Sequence, residues 1–245
     1  MIKLSVNVNK IATLRNSRGG SEPSVVRFAQ LAIDAGAHGI TVHPRPDQRH
    51  IRTQDVYDLK PLIAGDLEYN IEGYPDNRLL TFAEEVRPHQ LTLVPDKPGV
   101  LTSNAGWDVV RNRRDLKDTI RGLKSFGCRV SLFLETDLRQ VEAAAEVGAD
   151  RIEFYTGPYA EEFAAGQGQA AFERYAAAAR KAIEVGLGIN AGHDLDLDNL
   201  PLMATLPGLA EVSIGHFITR DALLYGWDTT IKKYLAILEN AESEL

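Results

Sequence analysis

The chain has 245 residues, of which 44% are apolar and 25% charged, a balance that allows a substantial buried core. Its formal net charge of −7 argues against nucleic acid or an anionic membrane surface as the main partner. A single cysteine, Cys128, excludes an intrachain disulfide and a cysteine-based zinc site.

The first predicted strand is IKLSVNV (2–8); the opening MIKLSVNVNK reads as a strand and not as a signal peptide. The segment NVNKIATLRNSRGG (7–20) follows, with Lys10, Arg15 and Arg18 near a glycine pair. Alone it would read as a solvated basic loop; its place after a strand makes it a flexible anion-gripping segment. Further strands are predicted at 39–43, 67–73, 90–95, 129–135, 151–157, 186–192 and 209–216. Helical apolar spacing falls at 23–36, 54–64, 76–86, 111–126, 137–147, 172–185, 197–205 and 220–240. Gly36, Gly127, Gly148 and Gly186 stand where a helix ends in a left-handed residue before the next strand. The stretches 96–110 and 158–170 are long connections after strands four and six; the Gly- and Ala-rich second one is a candidate mobile lid, the alternative being a surface excursion with an extra helix and no catalytic role.

Eight strands alternating with eight helices predict a single-domain (β/α)8 barrel over residues 1–245, with an open doubly wound sheet as the alternative. No apolar run is long enough to span a bilayer, so a cytoplasmic location is expected.

In a barrel the strand C-termini share one face, where ligands bind. Reading them off gives Asn7, Asn9, His43, Arg45, Glu72, Glu135, Glu153, His193 and His216. GITVHPRPDQRH (39–50) changes from apolar to cationic as it leaves the barrel, bringing Arg49 and His50 with it. NAGH (190–193) and SIGH (213–216) end strands seven and eight alike, so Gly192 and Gly215 are candidates for close backbone approach to phosphate. Histidines converging with Glu72 and Glu153 point to acid–base chemistry near neutral pH. His38 and His89 are expected at the other end or on the surface, and Glu135 as a helix-entry charge. No paired-ligand spacing indicates a metal.

The pieces IATLRN, GITVHPRPDQRHI, NIEG, LVPDKPGVLTS, FYTGPYA, NAGHDL and SIGHFI resemble the pyridoxine 5′-phosphate synthase family over nearly the whole chain. That resemblance implies a (β/α)8 barrel joining 1-deoxy-D-xylulose 5-phosphate to 3-amino-2-oxopropyl phosphate, without metal or organic cofactor, in a homo-oligomer (an octamer). It implies proton transfer by His43, Glu72 and His193, with Glu153 supporting a transition state. Asn7, Arg18, Gly215 and His216 would hold the aminoketone phosphate, and Arg45, His50 and Thr102 the deoxyxylulose phosphate. The chain departs from the family at three places. Asn9 and Lys10 stand where Asp and His are common, Asp194 where glycine is, and Tyr155 where histidine is. Lys10 is expected to pair with phosphate. Asp194 falls among the substrate-binding positions, its carboxylate expected to turn away from phosphate or pair with a cation. The rival readings are another barrel enzyme acting on a phosphorylated sugar, and a non-catalytic phosphate-ligand binder.

Overall fold

A computed structural model of the chain describes residues 1–96 and 103–243. Its strands are β1 (Lys3–Asn7), β2 (Gly39–Val42), β3 (Glu68–Gly73), β4 (Gln90–Leu93), β5 (Arg129–Leu134), β6 (Arg151–Tyr155), β7 (Gly188–Gly192) and β8 (Leu209–Ile214). All neighbours are parallel, and β8 pairs back onto β1 with Leu4 against Val212, which closes the barrel and rules out the open sheet.

Strand alternation divides these residues into two sets. Leu4, Val6, Ile40, Val42, Ile71, Leu91, Leu93, Val130 and Leu132 are fully buried and form the apolar layer between strands and helices. The other set faces inward and is polar. Ser5 Oγ meets Thr41 Oγ1 at 2.6 Å, and Asn70 donates to Thr41 at 3.3 Å. Thr92 Oγ1 lies 3.1 Å from Asn70 Oδ1 and 3.3 Å from Glu153 Oε2. Barrel interiors usually hold branched apolar side chains; here a hydrogen-bonded column runs up the axis and leads to carboxylates at its top.

The helices are α1 (Asn9–Asn16), α2 (Val25–Asp34), α3 (Thr53–Leu59), α4 (Asn77–Val86), α5 (Val109–Ser125), α6 (Leu138–Glu146), α7 (Gly157–Ala164), α8 (Gly168–Glu184), α9 (Leu200–Met203), α10 (His216–Tyr225) and α11 (Trp227–Ser243). Side-chain caps start four of them: Ser24, Asp76, Asp108 and Asp137 each accept from a backbone N–H two or three residues on. Gly36, Gly127, Gly148 and Gly186 all have positive φ directly after a helix, as expected.

Four expectations are corrected. The basic segment after β1 is not a flexible loop: Ile11, Ala12 and Arg15 form the buried face of α1. Arg15 donates to both carboxylate oxygens of Asp55 at 2.6 and 2.9 Å, pinning α1 to α3. Residues 158–170 are not a loop either; they form α7 and the start of α8, with Gly166 (φ 78°) turning the chain between them. Tyr159 on α7 is fully buried and its hydroxyl donates to the Asn199 carbonyl at 2.7 Å. The helix expected over 220–240 breaks into α10 and α11 at Gly226 (φ 81°). That expected over 197–205 shrinks to the single turn α9, entered through Pro201. Among the described residues no helix is long and apolar enough to cross a membrane.

Candidate active site

A cavity of about 610 Å³ opens at the C-terminal ends of the strands. Asn7, Asn9, Lys10, His43, Arg45, His50, Glu72, Glu153, His193, Asp194, Gly215 and His216 all line it. His38 and His89 stand at the opposite ends of β2 and β4, where their Nδ1 atoms accept from the N–H groups of Leu4 and Tyr69.

Short side-chain bridges join the elements around the rim. Asn7 Oδ1 accepts from the Asn9 N–H at 3.0 Å, and Asn9 Oδ1 accepts from the His43 N–H at 2.9 Å. The Asn9 amide thereby ties the start of α1 to the end of β2. Arg45 is buried and donates from Nη2 to Asp96 Oδ2 at 2.7 Å, while Ser103 Oγ donates to the same oxygen at 2.5 Å. His50 Nδ1 accepts from the Ile51 N–H at 2.9 Å, which leaves the ring proton on Nε2. Burial, then Arg45 and Lys10, push the His50 ring down to about 4. In the ligand-free site the ring is therefore neutral at pH 7 and carries its donor on Nε2.

Three central groups are perturbed in a way that separates acids from a base. Burial raises Glu72 to about 8, with the Asp96 charge adding to the effect. Burial also holds Glu153 well above the usual carboxylate range, assisted by Glu72. His43, by contrast, is lowered well below its ordinary value by burial and by the cations Arg45, Arg78 and Arg49. At pH 7 the contact between His43 Nδ1 and Glu72 Oε2, at 3.7 Å, is a neutral imidazole beside a protonated carboxyl and not an ion pair.

Gly192 and Gly215 serve different purposes. A Cβ on Gly192 would lie 2.4 Å from Glu153 Oε1, so this glycine makes room for the carboxyl and does not line the cavity. A Cβ on Gly215 would stand 2.8 Å from the Asn7 carbonyl oxygen, so only glycine lets β8 turn here into α10. The N-terminus of α10 then opens at the cavity, a geometry suited to an anion.

One other expected residue does not come to the cavity, and a second cannot be placed. Arg18 is exposed on the turn after α1 and does not line it. Its neighbour Arg15 turns inward instead, onto Asp55. Thr102 lies outside the described residues. Conversely, Thr13, Ser103, Phe133, Ser213 and Phe217 line the cavity without having been singled out. Ser213 carried a readable signal: it shares the inward phase of β8 with Glu211, and its hydroxyl bonds Glu72.

The family model described as Pyridoxal phosphate biosynthesis protein PdxJ matches residues 4–240. The chain belongs to this family. It is 54% identical to a protein of Porphyromonas gingivalis named pyridoxine 5′-phosphate synthase, covering 96% of this chain and 98% of that one. A protein of the same name from Cytophaga hutchinsonii is 50% identical, over 98% and 100% of the two chains. Among solved structures, phosphoribosyl anthranilate isomerase from Thermus thermophilus superposes with a TM-score of 0.59 at 12% identity, covering 98% of this chain and 99% of that one. That likeness shows the barrel alone. His43, Glu72 and His193, the residues expected to do acid–base work, all line one cavity.

Proposed function

We propose that this PdxJ-family chain is a pyridoxine 5′-phosphate synthase that condenses 1-deoxy-D-xylulose 5-phosphate with 3-amino-2-oxopropyl phosphate. The observation that carries the reading is the close placement of protonated Glu72 and neutral His43 in a cavity edged by Arg45, Lys10 and the α10 N-terminus. Two phosphorylated substrates need two anion sites; this reading assigns Arg45 and His50 to one and Gly215 and His216 to the other, all four of which line the cavity.

The amine of the aminoketone attacks the pentulose ketone, and loss of water leaves an imine. Each proton removed from nitrogen or carbon needs a base, and each departing hydroxyl needs an acid. Neutral His43 supplies the first and protonated Glu72 the second. Glu153, held protonated beneath them, donates to negative charge that develops on oxygen as the ring closes. Inorganic phosphate and water leave along the sequence, and an aldol-type closure completes the pyridine ring. Carbonyl and amine come with the substrates, so this chemistry proceeds without metal or organic cofactor. The same reading includes a cytoplasmic location and assembly into a homo-oligomer, an octamer by resemblance.

The test is incubation of the purified chain with both substrates and mass spectrometry of the products. Pyridoxine 5′-phosphate and inorganic phosphate in equal amounts are expected. Binding of either substrate without that product would favour a phosphate-ligand binder, and a different phosphorylated product another barrel enzyme.

A further inference from the structure

His193 and Asp194 follow β7 as two consecutive residues in the left-handed region, with φ of 85° and 58°. A non-glycine residue rarely takes that conformation, and two in a row require surrounding structure to hold them. That structure is present. The Thr156 hydroxyl donates to the His193 carbonyl, and Asn199 Nδ2 donates to the Asp194 carbonyl at 3.0 Å. The bend swings the Asp194 carboxylate back onto the preceding ring, where Oδ2 lies 2.8 Å from His193 Nδ1. The Tyr155 ring meets the imidazole edge-on at 5.2 Å, so the ring is steadied on a second side.

We propose that Asp194 is a positioning residue: its carboxylate accepts a hydrogen bond from Nδ1–H of His193, so that Nε2 is the imidazole atom presented for proton exchange with substrate. The proposal rests on the synthase reading for its catalytic part. A free neutral imidazole favours the proton on Nε2; an acceptor held at Nδ1 reverses that preference and fixes the plane of the ring. The same contact answers how a carboxylate can stand at a phosphate-binding rim. Its charge is directed to the ring, and Lys10 and His216 face it from α1 and α10 and offset it further. Besides these, Tyr155 on β6 and Arg220 on α10 stand in the field of this cluster.

The two informative substitutions suit the backbone. Asp194→Asn and Asp194→Gly both tolerate a positive φ, so the fold is retained. Asn keeps a carbonyl oxygen to accept from Nδ1–H, whereas Gly removes the acceptor. The measurement uses the ligand-free full chain with nitrogen-15-labelled histidine at about pH 8. His193 is assigned from the signal lost in His193→Gln. Wild type and Asp194→Asn are expected to show a protonated Nδ1 and a bare Nε2, and Asp194→Gly the opposite tautomer. Turnover should fall about tenfold in Asp194→Gly, a part of one acid–base contribution, and be largely kept in Asp194→Asn. A wild-type His193 protonated on Nε2, or an Asp194→Gly spectrum matching wild type, would overturn the proposal. Absence of pyridoxine phosphate from the wild-type reaction would instead sink the synthase reading, because the tautomer measurement needs no substrate.

Discussion

His43 Nδ1 lies 3.7 Å from Glu72 Oε2, yet the two are driven to opposite protonation from that of an ion pair. The carboxyl is raised to about 8 and the imidazole is lowered, so at pH 7 the acid holds its proton and the base is empty. Glu72→Gln keeps the shape and the hydrogen-bonding capacity of the protonated acid but cannot exchange a proton usefully. Turnover should fall by roughly two orders of magnitude or more with little change in KM. Wild-type turnover should decline above about pH 8 as Glu72 ionises, and Glu72→Gln should lack that limb. An equally active, well-folded Glu72→Gln protein would remove Glu72 from the mechanism.

The same carboxyl makes stability depend on pH in a definite direction. An unfolded glutamate titrates near 4.5, whereas folded Glu72 does so at about 8. Between those values the folded chain binds more protons than the unfolded one, so its stability falls as pH rises. The contribution is fully present below about pH 4.5 and lost as pH passes through about 8. Glu72→Gln has no such charge to bury. Urea unfolding of both proteins at pH 6 and pH 9 should show the variant gaining on wild type at the higher pH, by on the order of 1 kcal/mol or more. Equal pH dependence in the two would contradict the raised Glu72 proton affinity.

The barrel was legible because its signals are local: short apolar strands, helical spacing between them, and glycines such as Gly36 and Gly186 that stop one helix after another. The strand-end rule also brought His43, Glu72, Glu153 and His193 to one cavity. What misled were segments whose composition hid a packed face. In and just after α1 the charges of Lys10 and Arg18 masked Ile11, Ala12 and Arg15 as one buried stripe, since a buried arginine reads as solvated until its partner Asp55 is known. In α7 the glycines and alanines suggested mobility, but Tyr159 and Phe163 set the packing. The contact between His193 and Asp194 depends on two left-handed residues in succession, and no residue type there announces that bend.

Helix α7 should behave as structure and not as a closing lid. Tyr159 is buried against Phe163 and Tyr175, with its hydroxyl bonded, and burial of a side chain of this size contributes about 1.5–3 kcal/mol. Amides across 160–164 should be protected from hydrogen exchange in the ligand-free chain, with little change when both substrates are added. Fast exchange there that slows on binding would restore the lid.

The Arg15–Asp55 pair should matter for stability far more than surface pairs such as Arg121–Asp118. Both Arg15 and Asp55 are buried, and Asp55 Oδ2 also accepts from the Arg52 N–H at 2.7 Å. Removing one partner strands a buried charge, a loss of about 3–5 kcal/mol, whereas an exposed pair is worth about 1 kcal/mol at most. Arg15→Met should therefore lower the urea midpoint sharply, and Arg121→Met hardly at all. Similar midpoints for the two variants would show that α1 is not anchored by this pair.

Lys10 should act as a phosphate-side cation and not as a Schiff-base nucleophile. It sits in the first turn of α1, exposed to solvent at the cavity mouth. A nucleophilic lysine needs a desolvated pocket or a crowding cation, whereas Lys10 has the Asp194 carboxylate facing it. Its charge reaches His50 on one side and His216 on the other, so it stands between the two candidate phosphate regions. Lys10→Arg preserves the charge and should keep substantial activity. Lys10→Met should raise KM for the pentulose phosphate about fivefold, the scale of one solvent-facing charge contact, with a smaller effect on kcat. That rise should shrink at high salt, where wild type loses the same attraction. Borohydride treatment with the pentulose phosphate should leave the protein mass unchanged; a reduced adduct mapped to Lys10 would establish covalent lysine chemistry and defeat this assignment.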